Sequence, residues 1–216
     1  MQRLRRDEGV PADVAWEIVD QAPSDDETRE VADRVIVNDD GVLTGYNTDY
    51  VAVASLLQTH GVPTDLRIAV RGSGGMGKAV VAACRDTGFT RGTIVARNVE
   101  AGEKLAAQYG WEHSRDVPEG TDVLVNVTPL GMAGGEGVGR LSFTTDEIDA
   151  ATWIFDVVAS PSDTPLVVAA RERGKNVITG AEVIALQAAE QFVLYTGVRP
   201  SDEQIRTASE FSRQDA

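Results

Sequence analysis

Gly72-Ser73-Gly74-Gly75-Met76-Gly77 separates two segments of different periodicity, and that placement leaves few folds open. Upstream, residues 66–71 form an apolar run carrying the β-branched residues Ile68 and Val70. Downstream, residues 78–88 read as a helix. Strand, glycine turn and helix in this order make a cradle in which a pyrophosphate rests on a helix N-terminus. Gly72 permits the tight turn, Gly74 lets the backbone approach the phosphates, and Gly77 lets the helix pack closely on the strand. A plain strand-to-helix turn also uses glycine, so the flanking elements rather than the spacing alone carry the assignment.

From residue 65 onward strand and helix alternate. Strands are predicted at 67–71, 92–96, 122–127, 153–158 and 175–178, and helices near 76–87, 99–109, 164–173, 181–196 and 201–213. The strands are continuous apolar runs, as expected when both sheet faces are covered. This predicts an α/β fold, a Rossmann-type doubly wound parallel sheet with ligands at the carboxyl ends of its strands. Upstream, Val35–Asp49 reads as a hairpin turning at Asp39-Asp40-Gly41, and 48–59 as an amphipathic helix with Thr48 as its N-cap. Residues 11–20 suggest a short helix with Val14, Trp16 and Ile18 on one side, and Pro23–Glu30 a polar loop.

The formal net charge of −14 argues against nonspecific binding to nucleic acid or anionic membranes. No run approaches the roughly 18 apolar residues of a membrane span, and the N-terminus has no apolar signal region, so a cytoplasmic location is expected. The one cysteine, Cys84, cannot form an internal disulfide and reads as a small buried hydrophobe. His60 precedes Gly61-Val62-Pro63 and is expected at the surface; no metal-ligand pattern is read.

The second strand identifies the cofactor. NAD-selective sites usually end that strand with an acid on the ribose 2′-hydroxyl, about 20 residues past the glycines. Here the strand runs Thr93-Ile94-Val95-Ala96 into Arg97-Asn98, with no acid at its end. A guanidinium pairs with a 2′-phosphate that a carboxylate would repel, which selects NADP over NAD. Glu100 is expected in the first turn of the following helix.

Six ordered segments across residues 35–200 resemble the shikimate dehydrogenase family: Gly45-Tyr46-Asn47-Thr48-Asp49, Gly72–Met76, Ala96-Arg97-Asn98, Asn126 through Met132, Asp156 through Leu166, and Gly180 through Gln187. The glycine loop, the Ala-Arg-Asn form and the ending from Glu190 to Glu203 look most like its shikimate 5-dehydrogenase-like subgroup. The resemblance implies an NADP-dependent oxidoreductase of the shikimate pathway of aromatic amino acid biosynthesis, which reduces 3-dehydroshikimate to shikimate. It implies a substrate domain, a Rossmann domain, and last helices that return to the first domain. Asp49 matches the aspartate that binds substrate hydroxyls and works with a lysine in proton transfer; Asn47 lies in the same turn, and Gln187 matches a substrate-binding glutamine. Gly72, Ser73, Gly74, Gly75 and Met76 match the pyrophosphate loop, and Arg97 and Asn98 the adenosine-phosphate contact. Thr128 matches the loop lining the cofactor cleft, and Val157 and Gly180 the backbone contacts at the nicotinamide end. Plainer roles exist for several: Asp49 as a helix cap, Gln187 as an ordinary polar helix residue, Thr128-Pro129 as a strand terminator.

The pattern also breaks. The family lysine belongs to an Asn-Val-Thr-x-Pro-x-Lys motif, whereas the first lysine here is Lys78. A family asparagine is replaced by Arg34, and a family tyrosine by Ala159. Residues 1–45 are therefore expected to be a truncated remnant of the substrate domain, 46–180 the NADP-binding domain, and 181–216 the returning helices. Hydride transfer to a carbonyl leaves an alkoxide that needs a proton, and a positioned acid contributes roughly 10²–10⁴-fold. NADP binding is thus expected to survive better than turnover, with a non-catalytic NADP-binding module and a quinate-type dehydrogenase as alternatives. The returning helices, with Val183, Ile184, Leu186, Ala189, Phe192 and Val193, are expected to leave an apolar patch that drives self-association or recruits a partner chain.

Overall fold

Successive side chains of one short strand enter two different cores. In β3 (Ile68–Arg71), Ile68 and Val70 join one buried cluster and Ala69 the other. The same two-residue alternation recurs in β6 (Val123–Asn126) and β7 (Trp153–Asp156), where Leu124 and Ile154 face the second cluster while Val125 and Phe155 face the first. An all-apolar strand is the consequence, because both faces are covered. Each fully enclosed Ile, Leu or Phe contributes about 1.5–3 kcal/mol.

The computed structural model describes residues 34–37 and 44–212. Its main sheet has six strands, all parallel, in the order β5-β4-β3-β6-β7-β8, with β4 at Gly92–Val95, β5 at Glu112–Ser114 and β8 at Asn176–Thr179. This is two βαβαβ halves meeting at β3 and β6, the point where strand order reverses and ligands bind. Helices α2 (Gly75–Thr87) and α3 (Val99–Tyr109) cover one face together with α1 (Thr48–Thr59) and α6 (Gly180–Thr196). Helices α4 (Thr145–Ala150) and α5 (Pro165–Glu172) cover the other. β1 (Arg34–Val37) and β2 (Thr44–Asn47) form a separate antiparallel pair, and α7 (Asp202–Ser212) follows α6.

Every strand and helix predicted from residue 34 onward is found, with ends shifted by at most two residues. The helix expected at 11–20, the loop at Pro23–Glu30 and the hairpin turn lie outside the described residues. Two elements were not foreseen. β5 has only three residues, and α4 only six, too few for periodicity to register. The N-cap of α1 is Asn47, whose side chain accepts from the Tyr50 N–H at 3.0 Å, and not Thr48, which is buried. Asp49 lies in the first turn of α1 and not at its N-cap.

The expected bare face of α6 is narrower than its sequence suggests. Val183 and Ala189 are buried, Val183 within the main core, while Ile184 and Phe192 are exposed. Cys84 is wholly buried, and burial pushes its thiol up to about 12. Among the described residues, no helix is long and apolar enough to cross a membrane.

Candidate functional site

The glycine loop is built as its spacing requires. Gly72 follows β3 with φ +125°, a conformation that L side chains rarely adopt, and a Cβ there would lie 2.7 Å from Val127 Cγ2. A Cβ on Gly77 would lie 2.9 Å from the Gly72 carbonyl oxygen, so only glycine lets α2 start this close to the turn. Gly74 is different: nothing lies within 4 Å of its would-be Cβ, which leaves room on the outer side of the loop. Ser73 and Gly75 are partly exposed, and Met76 packs against the main core.

Gly74 is also the N-cap of α2 and supplies no side-chain cap. Every other described helix begins on a capping side chain: Asn47, Asn98, Thr144, Thr164, Thr179 or Ser201. The first N–H groups of α2 are therefore left to whatever stands in front of them, at the positive end of the helix dipole. Such a helix end favours a negatively charged group.

One strand over, residues 92–96 are buried and Arg97 emerges exposed. Arg97 makes no hydrogen bond or ion pair among the described residues. Asn98 caps α3, its Oδ1 accepting from the Ala101 N–H at 3.1 Å, so its plain structural role is real; its Nδ2 has no part in that bond. Glu100 lies in the first turn of α3, as expected, and not at the strand end.

On the other side of the reversal point, the last residues of β6 and β7 pair in register, Asn126 beside Asp156. Both are wholly enclosed, and Asn126 Nδ2 donates to Asp156 Oδ1 at 2.9 Å. Asp156 Oδ1 also accepts from the Val158 N–H at 3.1 Å, and Oδ2 from the buried Thr164 hydroxyl at 2.6 Å. Burial pushes the Asp156 carboxyl above its ordinary pKa, and these three hydrogen bonds work against that rise. Thr128 hangs on the same network: its hydroxyl and N–H donate to Asn126 Oδ1 at 2.6 and 3.1 Å. From sequence, Asn126 and Asp156 open two of the matching segments but receive no role of their own, unlike Thr128. Their signal was present, a polar residue closing each of two otherwise apolar strands.

Val157 N–H donates to the Asn126 carbonyl at 3.1 Å, and Gly180 stands directly against this segment. A Cβ on Gly180 would lie 2.3 Å from the Val158 carbonyl oxygen. Gly180 opens α6 behind a capping box, in which Glu182 Oε2 accepts from Thr179 N–H at 2.8 Å. The other Glu182 oxygen meets His60 Nε2 at 2.8 Å. His60 is thus a partly buried link between the end of α1 and the start of α6, 29% exposed, and not the surface residue expected.

The substrate-side candidates sit on helices that pack together, Asn47 and Asp49 at the start of α1 and Gln187 within α6. Asp49 is 8% exposed and Gln187 partly buried. A separate shallow cavity of about 570 Å³ lies between the 131–141 loop and α5, lined by Ala133, Val138, Leu141, Pro165 and Val168. None of the candidate site residues lines it. Among the described residues no cluster suited to a metal ion occurs.

No protein-family model matches the chain. Individual proteins do. A shikimate dehydrogenase-like protein of Haemophilus influenzae is 49% identical over 179 residues, 82% of this chain and 66% of the relative. A shikimate dehydrogenase (NADP(+)) of Archaeoglobus fulgidus is 34% identical over 77% of this chain and 64% of its own length. Among solved structures, a shikimate 5-dehydrogenase-like protein superposes with a TM-score of 0.78 at 49% identity, over 82% of this chain and 66% of that one. Quinate dehydrogenase from Corynebacterium glutamicum in complex with NAD gives 0.70 at 26% identity, over 83% and 66%. Shikimate 5-dehydrogenase from Thermus thermophilus in complex with NADP(H) and shikimate also gives 0.70 at 26%, over 86% and 70%. The chain spans about two thirds of the length of the curated relatives it matches. With a doubly wound sheet, an uncapped glycine loop at its reversal point and this degree of identity, the chain belongs to the shikimate dehydrogenase family.

Proposed function

We propose that this chain forms the NADP-binding part of an oxidoreductase that interconverts 3-dehydroshikimate and shikimate. The observation that supports it best is the pairing of an uncapped helix N-terminus at Gly74 with a second strand that ends on exposed Arg97. In this reading Gly72 through Met76 take the pyrophosphate, with backbone N–H groups as donors and the α2 dipole as the favourable field. Arg97 pairs with the 2′-phosphate, and the Asn98 Nδ2 adds a donor beside it. Thr128, Val157 and Gly180 border the nicotinamide end. Asn47, Asp49 and Gln187 hold substrate hydroxyls. Residues 1–45 belong to the substrate side, which 181–216 would serve.

When bound, the reduced dinucleotide supplies the hydride that turns a carbonyl into an alcohol. The chain's own task is to position the reactants and to deliver a proton to the oxygen. For that last step the sequence has no lysine before Lys78, which lies within α2 behind the glycine loop. A second reading is an NADP-binding module that does not turn over by itself. A quinate-type dehydrogenase differs from the first reading only in pocket residues.

Calorimetry with NADPH and NADH tests the cofactor assignment. The protein is expected to bind NADPH in preference. Arg97→Ala is expected to lose roughly 10–100-fold for NADPH, since a hydrogen bond to a charged group contributes about 1.5–3 kcal/mol. NADH affinity should not change. Heat with neither coenzyme, or preference for NADH, refutes the proposal. An assay of NADPH oxidation with 3-dehydroshikimate then separates the two readings: family-typical turnover removes the second.

A further inference from the structure

We infer that Asp156 is a positioning residue for the nicotinamide end of the cleft, acting through Asn126, Thr164 and the Val157–Val158 backbone; the inference rests on the dinucleotide reading above. A doubly wound sheet divides a dinucleotide between its halves. The half built on β3–β5 carries Arg97, so the half built on β6–β8 takes the nicotinamide. Asp156 ends β7, the middle strand of that second half.

The side chain is wholly enclosed and accepts three hydrogen bonds, each from a different segment. Asn126 comes from β6 at 2.9 Å, Val158 from the connection after β7 at 3.1 Å, and Thr164 from the cap of α5 at 2.6 Å. A buried carboxylate is tolerated only when such donors are in place, so its cost selects the one arrangement in which all three segments are in register. The effect spreads both ways. Asn126 Oδ1 takes both Thr128 donors, and Asn126 Nδ2 reaches the Leu130 carbonyl at 3.3 Å, which fixes the turn after β6. Holding Val158 N–H inward sets the Val157 and Val158 carbonyls against Gly180.

The test compares NADPH with adenosine 2′,5′-bisphosphate, which carries the 2′-phosphate and lacks nicotinamide. Calorimetry is run on the full chain as wild type, Asp156→Ala, Thr164→Val and Thr164→Ser. In the first two variants the Kd for NADPH is expected to rise about tenfold, about 1.4 kcal/mol. That for the bisphosphate should stay within about twofold of wild type. Thr164→Ser keeps the hydroxyl and is expected to match wild type for both ligands. If Asp156→Ala does not fold, Thr164→Val against Thr164→Ser decides. Any result in which NADPH and the bisphosphate are affected alike, or not at all, overturns the inference while leaving the dinucleotide reading intact. Failure of wild type to bind either ligand overturns both.

Discussion

Gly180→Ala separates close backbone packing from ordinary helix preference, because the two act in opposite directions. At the first residue of a helix, alanine is favoured over glycine by about 1 kcal/mol, and in open space the change would stabilise the protein. Here the added Cβ would meet the Val158 carbonyl oxygen at 2.3 Å, its carbon at 2.4 Å and the Val157 carbonyl oxygen at 2.5 Å. Ordinary contact begins at 3.4 Å, so α6 or the 157–158 backbone must withdraw by roughly 1 Å. None of these atoms is the end of a flexible side chain. The shift also pulls on the Thr179–Glu182 capping box, held by bonds of 2.7 and 2.8 Å. Overpacking of this kind costs about 1–3 kcal/mol, and a weakened cap about 1 kcal/mol more. Subtracting the helix preference leaves a net loss of about 2 kcal/mol. For a domain of this size that lowers Tm by about 4–8 °C. Urea denaturation followed by circular dichroism gives the free energy directly, and a thermal scan gives Tm. A variant that melts at or above wild type refutes the close-packing argument.

Gly74→Ala is the counterpart: with nothing within 4 Å of the new methyl and φ −78°, unfolding free energy should change by less than about 0.5 kcal/mol. NADPH affinity should nevertheless fall about tenfold by calorimetry, and unchanged affinity refutes the phosphate cradle. Asp156→Asn probes the buried carboxyl. Because burial raises its native pKa, the native state keeps this proton to higher pH than the unfolded chain, and wild-type stability declines as pH climbs from the ordinary carboxylate value through the raised one. The stability of Asp156→Asn relative to wild type should therefore rise across that window and level off above it; a flat difference in urea titrations at several pH values refutes this. Cys84, its thiol pushed up to about 12 by burial, should resist a thiol reagent at pH 8 in native buffer and react fully in urea, so rapid native labelling would contradict the packing.

The fold was legible because its strands and longer helices each announce themselves locally. Apolar β-branched runs such as Ile68–Val70 and the glycine loop fix a βα unit within about a dozen residues. The pieces that escaped are those whose existence depends on neighbours. β5 carries Glu112, His113 and Ser114, which read as loop until β4 offers them a ladder. Arg97, Gly72 and Gly74 can be singled out from sequence because backbone approach and charge are properties of single positions. The Asn126–Asp156–Thr164 network was not, because its meaning lies in the strand register, which brings residues 30 apart in sequence side by side. His60 went astray for the same reason: its partner Glu182 lies 122 residues away.

The short β5 strand has a consequence for how this protein can meet other chains. An incoming strand at that border would find three residues, one of them His113, whose ring already leans back to the Ala96 carbonyl at 3.1 Å. So brief a template offers too few main-chain bonds to repay the ordering of a second polypeptide. Growth of the sheet by lateral addition is discouraged on that side, whereas on the helical exterior Ile184, Phe192 and Phe211 face water.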